Sequence, residues 1–240
     1  VCGIPTKPHG LPGERYEYDA DKDRLVRVVT RSDGREVASY LPGSGLEIGE
    51  TTDLARLYDQ TWLRSRVMPL VTHGAPEIRV ADLFSGCGGM TLGVVEAARA
   101  LGMKCRPILA VDSNPVAIDV YRKNLNPEIV RSTDINDLLD GELGEAPTTA
   151  ERELISALRG EIDLVVAGPP CQGHSDLNNR TRRDDPKNRL IFKVARFVEL
   201  TRPRHVIVEN VQGIIHDKNG VFQRTRDYLQ YGLSEFGYSV

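Results

Sequence analysis

From Glu77 onward, short unbroken apolar runs alternate with segments whose apolar residues recur every three or four positions. The runs predict strands over Ile78–Phe84, Pro107–Val111, Ile129–Val130, Ile162–Ala167 and His205–Val208. The periodic segments between them predict helices over Met90–Leu101, Pro115–Asn124, Glu151–Leu158, Leu190–Leu200 and Val221–Phe236. Strand and helix alternating in this way argue for right-handed β-α-β units and a parallel sheet. Leu164-Val165-Val166-Ala167 and Val206-Ile207-Val208 read as strands buried on both faces. The fold class expected is therefore α/β, a largely parallel, doubly wound sheet.

Residues 1–76 have a different texture, rich in Gly, Pro and charge. Arg24–Thr30 and Glu36–Leu41 flank the turn sequence Ser32-Asp33-Gly34-Arg35 and predict two paired strands. Thr51–Met68 predicts a helix capped by Thr52 or Asp53, with Leu54, Leu57, Tyr58, Trp62 and Leu63 on one face. This stretch reads as an N-terminal extension of hairpin plus helix, and 77–240 as the domain that carries the chemistry.

Composition narrows the classes. Apolar residues make up 40% of the chain and charged residues 27%, ordinary for a globular protein. There is no run of eighteen apolar residues and no basic-then-apolar leader, so neither a membrane span nor secretion is expected. Because the chain begins at Val1, residues upstream are expected. The four cysteines (2, 87, 105 and 171) form no C-x-x-C pair and no zinc-finger spacing with histidine. That pattern argues against a metal site or disulfide framework and for a reducing cytoplasm. A net charge of −3 does not advertise a nucleic-acid partner, which must be argued from local charge.

In a sheet of this kind ligands bind beyond the carboxyl ends of the strands. The first strand of the domain runs into Asp82-Leu83-Phe84-Ser85-Gly86-Cys87-Gly88-Gly89, where three glycines permit a sharp turn and close approach to a ligand. Thr91 breaks the dinucleotide pattern G-x-G-x-x-G. The second strand ends at Asp112, 24 residues after Gly88, where a carboxylate can accept both hydroxyls of a ribose. The third leads to Asp134-Ile135, where an acid can take an adenine amino group. Taken singly, Asp112 and Asp134 could equally be helix caps. Three such features at three successive strand ends point to an adenosine-containing cofactor.

The fourth strand runs into Gly168-Pro169-Pro170-Cys171-Gln172-Gly173, whose prolines hold a rigid, non-helical backbone before the thiol. A lone cysteine is usually core packing, but Pro, Gln and Gly are poor core material. The fifth strand ends in Glu209-Asn210-Val211, 38 residues past Cys171, and adjacent strand ends would bring the two residues to one cleft. Following an apolar run, the Glu209 carboxyl is expected to be partly desolvated; the plainer alternative is a capping carboxylate. A thiolate and a proton donor are the minimal kit for substitution at C5 of a pyrimidine. Sulfur adds to C6, and protonation of N3 cancels the charge that this addition creates.

These blocks, in this order and spacing, resemble the cytosine-5 DNA methyltransferases. The resemblance covers Glu77 to Val240 and implies a Rossmann-like fold using S-adenosylmethionine, with S-adenosylhomocysteine as product. It implies Phe84 against the adenine, Asp112 on the ribose, Asp134 and Ile135 at the adenine edge, and Pro170 and Leu190 near the cofactor or target base. Ser85, Gly86, Gly88, Gly89 and Ser113 complete the implied cofactor site. Cys171 is the implied nucleophile and Glu209 the N3 proton donor. Double-stranded DNA is the implied partner, with the target cytosine swung out of the stack. Gln172 and Ser175 fall on the loop that approaches it. His174 replaces the family's usual apolar residue, and Lys187-Asn188 stands where many members have Arg-Gly.

From His174 to His205, nine Lys/Arg face four acids, a local excess of +5. Arg180, Arg182, Arg183 and Lys187 are the candidates for phosphate contacts, against the alternative of a solvated face. The family's Gln-x-Arg-x-Arg strand, target-recognition region and last helix are expected on a C-terminal region or a second subunit, so the domain is expected to be incomplete at its C-terminus. Two alternatives remain at this point: a tRNA cytosine-5 methyltransferase of the same fold, and a non-catalytic cofactor-binding or assembly subunit. A bacterial restriction-modification or defence setting, cytoplasmic and close to the nucleoid, completes the expectation.

Overall fold

The computed structural model describes residues 13–43, 46, 48–49, 51–66, 74–170, 190–210, 220–228 and 230. The chain divides into two compact units, one of 1–77 with 94–105 and the other of 78–93 with 106–240.

In the first unit β1 (Gly13–Asp19), β2 (Arg24–Thr30) and β3 (Glu36–Pro42) form an antiparallel sheet in that order. The two expected strands are β2 and β3. The expectation missed β1, because Gly-Glu-Arg-Tyr-Glu-Tyr-Asp offers only Tyr16 and Tyr18 as apolar positions. Those two rings pack on the small core of Leu25, Leu41 and Tyr58, while the charged positions on the exposed face pair across strands, as Arg15 does with Glu36. Helix α1 (Leu54–Arg64) is capped by the Asp53 side chain, which accepts from the Arg56 amide. The second half of α2 (Gly89–Ala100) belongs to the same unit and brings Arg99, 5% exposed, to the Tyr58 hydroxyl and the Tyr40 carbonyl.

The second unit holds a five-stranded sheet in the order β6 (Ile129–Ser132), β5 (Lys104–Asp112), β4 (Glu77–Leu83), β7 (Leu164–Ala167), β8 (His205–Val208). β4 pairs in parallel with β7, β5 with β6, and β7 with β8. The sequence walks outward from β4 to β6, then returns to the other side of β4 with β7. The strand order therefore reverses between β4 and β7, and a doubly wound sheet opens its ligand crevice at such a point. α3 (Pro115–Leu125), α4 (Ile135–Leu138), α5 (Thr149–Leu158), α6 (Leu190–Thr201) and α7 (Val221–Asp227) accompany the strands. The single turn α4 is the one that the alternative reading of Asp134 as a cap implies. The expected final helix is described over Val221–Asp227, and residues 231–240 lie outside the described residues.

Both apolar runs form strands, but only β7 is buried along its whole length. β8 alternates exposed and half-buried positions, with Ile207 51% exposed, because among the described residues it pairs only with β7 and ends the sheet. This corrects the reading of Val206-Ile207-Val208 as a strand covered on both faces.

A buried ion pair joins α5 to α6. Arg196 (1% exposed) donates to both oxygens of Glu151 (0% exposed), at 2.9 and 2.7 Å. The Glu151 carboxylate also accepts from the Gly141 and Thr148 amides, the latter as half of a capping box. Arg196 is thus withdrawn from the basic stretch that the sequence offered to DNA. The Arg196 hydrogen bond holds the Glu151 carboxyl down at about 2, against 4.5 ordinarily. A carboxyl depressed on folding stabilises the fold fully above its unfolded value and loses that stabilisation as pH falls through the folded value. Urea titrations should therefore show this contribution intact above about pH 4.5 and fading toward pH 2. Arg196→Met should cost about 3–5 kcal/mol at neutral pH, since it strands a buried charge, and Glu151→Leu in the same chain should recover part of the loss.

Candidate active site

Each strand of the parallel sheet delivers its expected site residue to the same edge. Across the sheet the order is Asp134 after β6, Asp112 at the end of β5, the glycine turn after β4, Gly168-Pro169-Pro170 after β7, and Glu209 after β8. Main-chain hydrogen bonds running past the strand ends hold the row together. The Ser85 amide donates to the Val111 carbonyl at 2.9 Å, Gly168 to Leu83 at 3.3 Å, and Glu209 to Ala167 at 2.9 Å.

The turn between β4 and α2 is strained where a ligand would meet it. Phe84 has φ +59°, Gly86 +52° and Gly88 +95°. An aromatic residue in the left-handed region is an outlier that the surroundings must enforce. Here the Ser85–Val111 and Gly168–Leu83 bonds clamp the chain on both sides of Phe84, whose half-buried ring packs on the core. Gly88 has no room for a side chain, since a Cβ there would lie 2.5 Å from Leu125 Cδ1 and 2.9 Å from Tyr121 Cδ2. Ser85 is 7% exposed, and its Oγ is buried without a hydrogen-bond partner. A buried hydroxyl left unsatisfied costs free energy, so Ser85 Oγ offers a hydrogen bond that a polar ligand atom could take up.

Asp112 and Asp134 do hold local backbone. Asp112 accepts the Gly86 amide on Oδ2 at 2.7 Å and the Asn114 amide on Oδ1 at 2.8 Å. It therefore ties the glycine turn to β5, while the cap of α3 is Asn114. Asp134 caps α4 through Oδ1, which takes the Asn136 amide. A carboxylate oxygen has further lone pairs, so these bonds leave both acids able to accept from a nucleoside. Ser113 is exposed beside Asp112, and Gly86, Gly89, Pro170 and Leu190 also lie at this edge. The Ile135 side chain, 4% exposed, belongs to the core, so a cofactor can meet only its main chain.

At the other end of the row, Glu209 Oε2 lies 3.8 Å from where a Cβ on Gly168 would stand, and Met90 Sδ lies as close. The carboxylate thus covers the first residue of the segment that leads to Cys171. Contrary to the expected desolvation, Glu209 is exposed, because it follows β8, which among the described residues is the last strand of the sheet. Cys171, Gln172, Ser175, Arg180, Arg182, Arg183 and Lys187 lie outside the described residues.

Residues 78–240 match the family model for C-5 cytosine-specific DNA methylases. The chain belongs to that family. Among its relatives, it is 47% identical over 210 residues to the Type II methyltransferase M1.BsuMI of Bacillus subtilis (strain 168), covering 88% of this chain and 49% of that protein. It is 33% identical over 161 residues to M1.HphI of Haemophilus parahaemolyticus, covering 66% of this chain and 38% of that one. It is 29% identical over 168 residues to M.NlaIV of Neisseria lactamica, covering 68% and 36%. The chain thus spans half or less of the length of these relatives. Two of the matches are about as long as the methylase segment. The match to M1.BsuMI is longer, so roughly 47 or more aligned residues must precede Ile78. Much of the N-terminal unit is therefore shared with that relative.

Behind the turn a buried chain, which the sequence pattern does not reveal, runs from Tyr121 through Thr91 to Asp82. In the sequence Thr91 stands out only as the residue that breaks a dinucleotide pattern.

The glycines should respond unequally to substitution, as chemical denaturation can show. Gly88→Ala meets both a left-handed backbone and a closed wall, and should cost about 2–4 kcal/mol. Gly86→Ala meets only the backbone penalty, since nothing lies within 4 Å of its Cβ, and should cost about 1–2 kcal/mol.

Proposed function

We propose that the chain carries the catalytic centre of an enzyme that methylates C5 of cytosine in double-stranded DNA, with Cys171 as nucleophile and Glu209 as proton donor to N3. The observation that carries this reading is the Glu209 carboxylate lying over Gly168, three residues before Cys171, at the point where the strand order reverses.

The residues at the glycine turn fit S-adenosylmethionine. The orphaned Ser85 Oγ is available to a polar atom of the amino-acid end, the tight Gly86–Gly88 backbone allows close approach, and Asp112 and Asp134 face a nucleoside from the next two strands. Gly89, Ser113, the main chain of Ile135, Phe84, Pro170 and Leu190 would complete the enclosure. When bound, the cofactor supplies an electrophilic methyl group and leaves as S-adenosylhomocysteine.

The rest is work for the chain's own residues. The Cys171 thiolate forms a bond to C6 of the extruded base while Glu209 gives its proton to N3, which turns C5 into an enamine-like carbon. After C5 is alkylated, its proton passes to solvent as the Cys171 sulfur departs as thiolate, which restores the aromatic ring, and N3 returns its proton to Glu209. Arg180, Arg182, Arg183 and Lys187, with Gln172 and Ser175, would meet the DNA. Target recognition would come from a C-terminal region or a second subunit. The setting would be cytoplasmic, in restriction-modification.

In the full-length protein, Cys171→Ala should abolish transfer of labelled methyl groups to duplex DNA while cofactor affinity stays within about twofold. Activity within tenfold of wild type would refute the nucleophile. Glu209→Gln should lower the rate by about 10²–10⁴. Transfer to tRNA but not to duplex DNA would replace the substrate assignment. Ser85→Ala removes an unsatisfied group, so stability should hold or rise by about 1 kcal/mol while cofactor affinity falls.

A further inference from the structure

Behind the glycine turn lies a polar chain that none of the chemistry above employs. The Tyr121 hydroxyl of α3 donates to Thr91 Oγ1 at 2.9 Å, and the Thr91 hydroxyl, in the first turn of α2, donates to Asp82 Oδ2 at 2.6 Å. Tyr121 and Thr91 are fully buried and Asp82 is 1% exposed. The Tyr121 ring is also one of the groups that leave Gly88 no space for a side chain. One carboxyl, one residue before the end of β4, is therefore linked to both helices that frame the turn.

Among the described residues this carboxyl has no counter-charge. Facing it are the neutral hydroxyl of Thr91 from α2, backed by the phenol of Tyr121 from α3, and the carboxylate of Asp112 from β5. Among the described residues, no Lys, Arg or His pairs with Asp82. Burial pushes its pKa up to about 7, opposed by the Thr91 hydrogen bond and reinforced by the Asp112 charge. Near neutral pH the group is balanced between a buried acid and a buried anion.

Taking the glycine turn as the cofactor site, as proposed above, we propose that Asp82 is a positioning residue whose ionisation is coupled to the charge of the bound cofactor. The methyl donor and its product share the nucleoside and the amino-acid end; they differ by one methyl group and one positive charge on sulfur. Contacts with the shared parts cannot tell them apart. An anion held in a poorly polarisable interior can, because its field reaches the sulfur weakly screened by water. The donor favours the ionised carboxyl, so its binding drives the Asp82 proton to solvent. By reciprocity, ionised Asp82 favours the donor. Once the methyl group has gone, that preference lapses and the carboxyl can take a proton back.

The test is the ratio of dissociation constants, product over donor, measured calorimetrically on the full-length protein between about pH 6 and pH 8. The α-amino and α-carboxyl groups are common to both ligands, so their titration cancels in the ratio. The ratio should rise several-fold with pH in the wild type and be flat in Asp82→Asn. In Thr91→Val the rise should move to higher pH, because the hydrogen bond that favours the anion is gone; this variant serves if Asp82→Asn does not fold. A purely structural role would weaken both ligands alike and leave the ratio independent of pH. A flat wild-type ratio, or the same slope in Asp82→Asn, overturns the proposal while leaving the cofactor site standing. A folded protein that binds neither ligand at any pH overturns the cofactor reading and this proposal with it.

Discussion

Main-chain hydrogen bonds that continue past the last residues of β4, β7 and β8 frame the middle of the carboxyl edge. Ser85 to Val111, Gly168 to Leu83 and Glu209 to Ala167 extend the ladders by one or two residues into segments that would otherwise be loop. They carry the precision of a sheet into the turn residues. A buried strand such as β7 cannot slip without exposing apolar surface, so the groups that follow it inherit its register. The strained Phe84 backbone and the closely packed Gly88 are tolerable only because that frame is rigid.

The reversal of strand order between β4 and β7 explains why the parts of the site fall into two groups. On one side stand the glycine turn, Asp112 and Asp134, suited to a nucleoside and its polar tail. On the other stand the Gly168–Pro170 segment and Glu209, suited to a reacting base. The two flank the point where the strand order reverses. Met90 and Glu209, both against Gly168, mark the seam.

The features legible in the sequence were those written in local patterns. Apolar runs broken by Gly, Pro or an acid located the strand ends, and with them Asp112, Asp134, Gly168 and Glu209. The features that escaped depend on which way a helix or strand is turned. The Asp82–Thr91–Tyr121 chain joins residues 9 and 30 positions apart and exists only because two helices present those faces to β4. Arg196 counted as one more cation in a basic stretch until its partner proved to be Glu151, 45 residues away. β1 hid because its charged positions interrupt any apolar run, and the exposure of Glu209 follows from β8 standing at the end of the sheet.

The central claim is that the sulfur of Cys171 attacks a cytosine held beside Glu209, and a covalent trap tests it directly. Duplex DNA in which the target cytosine carries fluorine at C5 cannot release the enzyme after methyl transfer, since there is no proton to lose. Mass spectrometry of the full-length protein after reaction with such DNA and S-adenosylmethionine should find the adduct on the peptide containing Cys171. An adduct on another cysteine, or no adduct where unmodified DNA is methylated normally, would contradict the account.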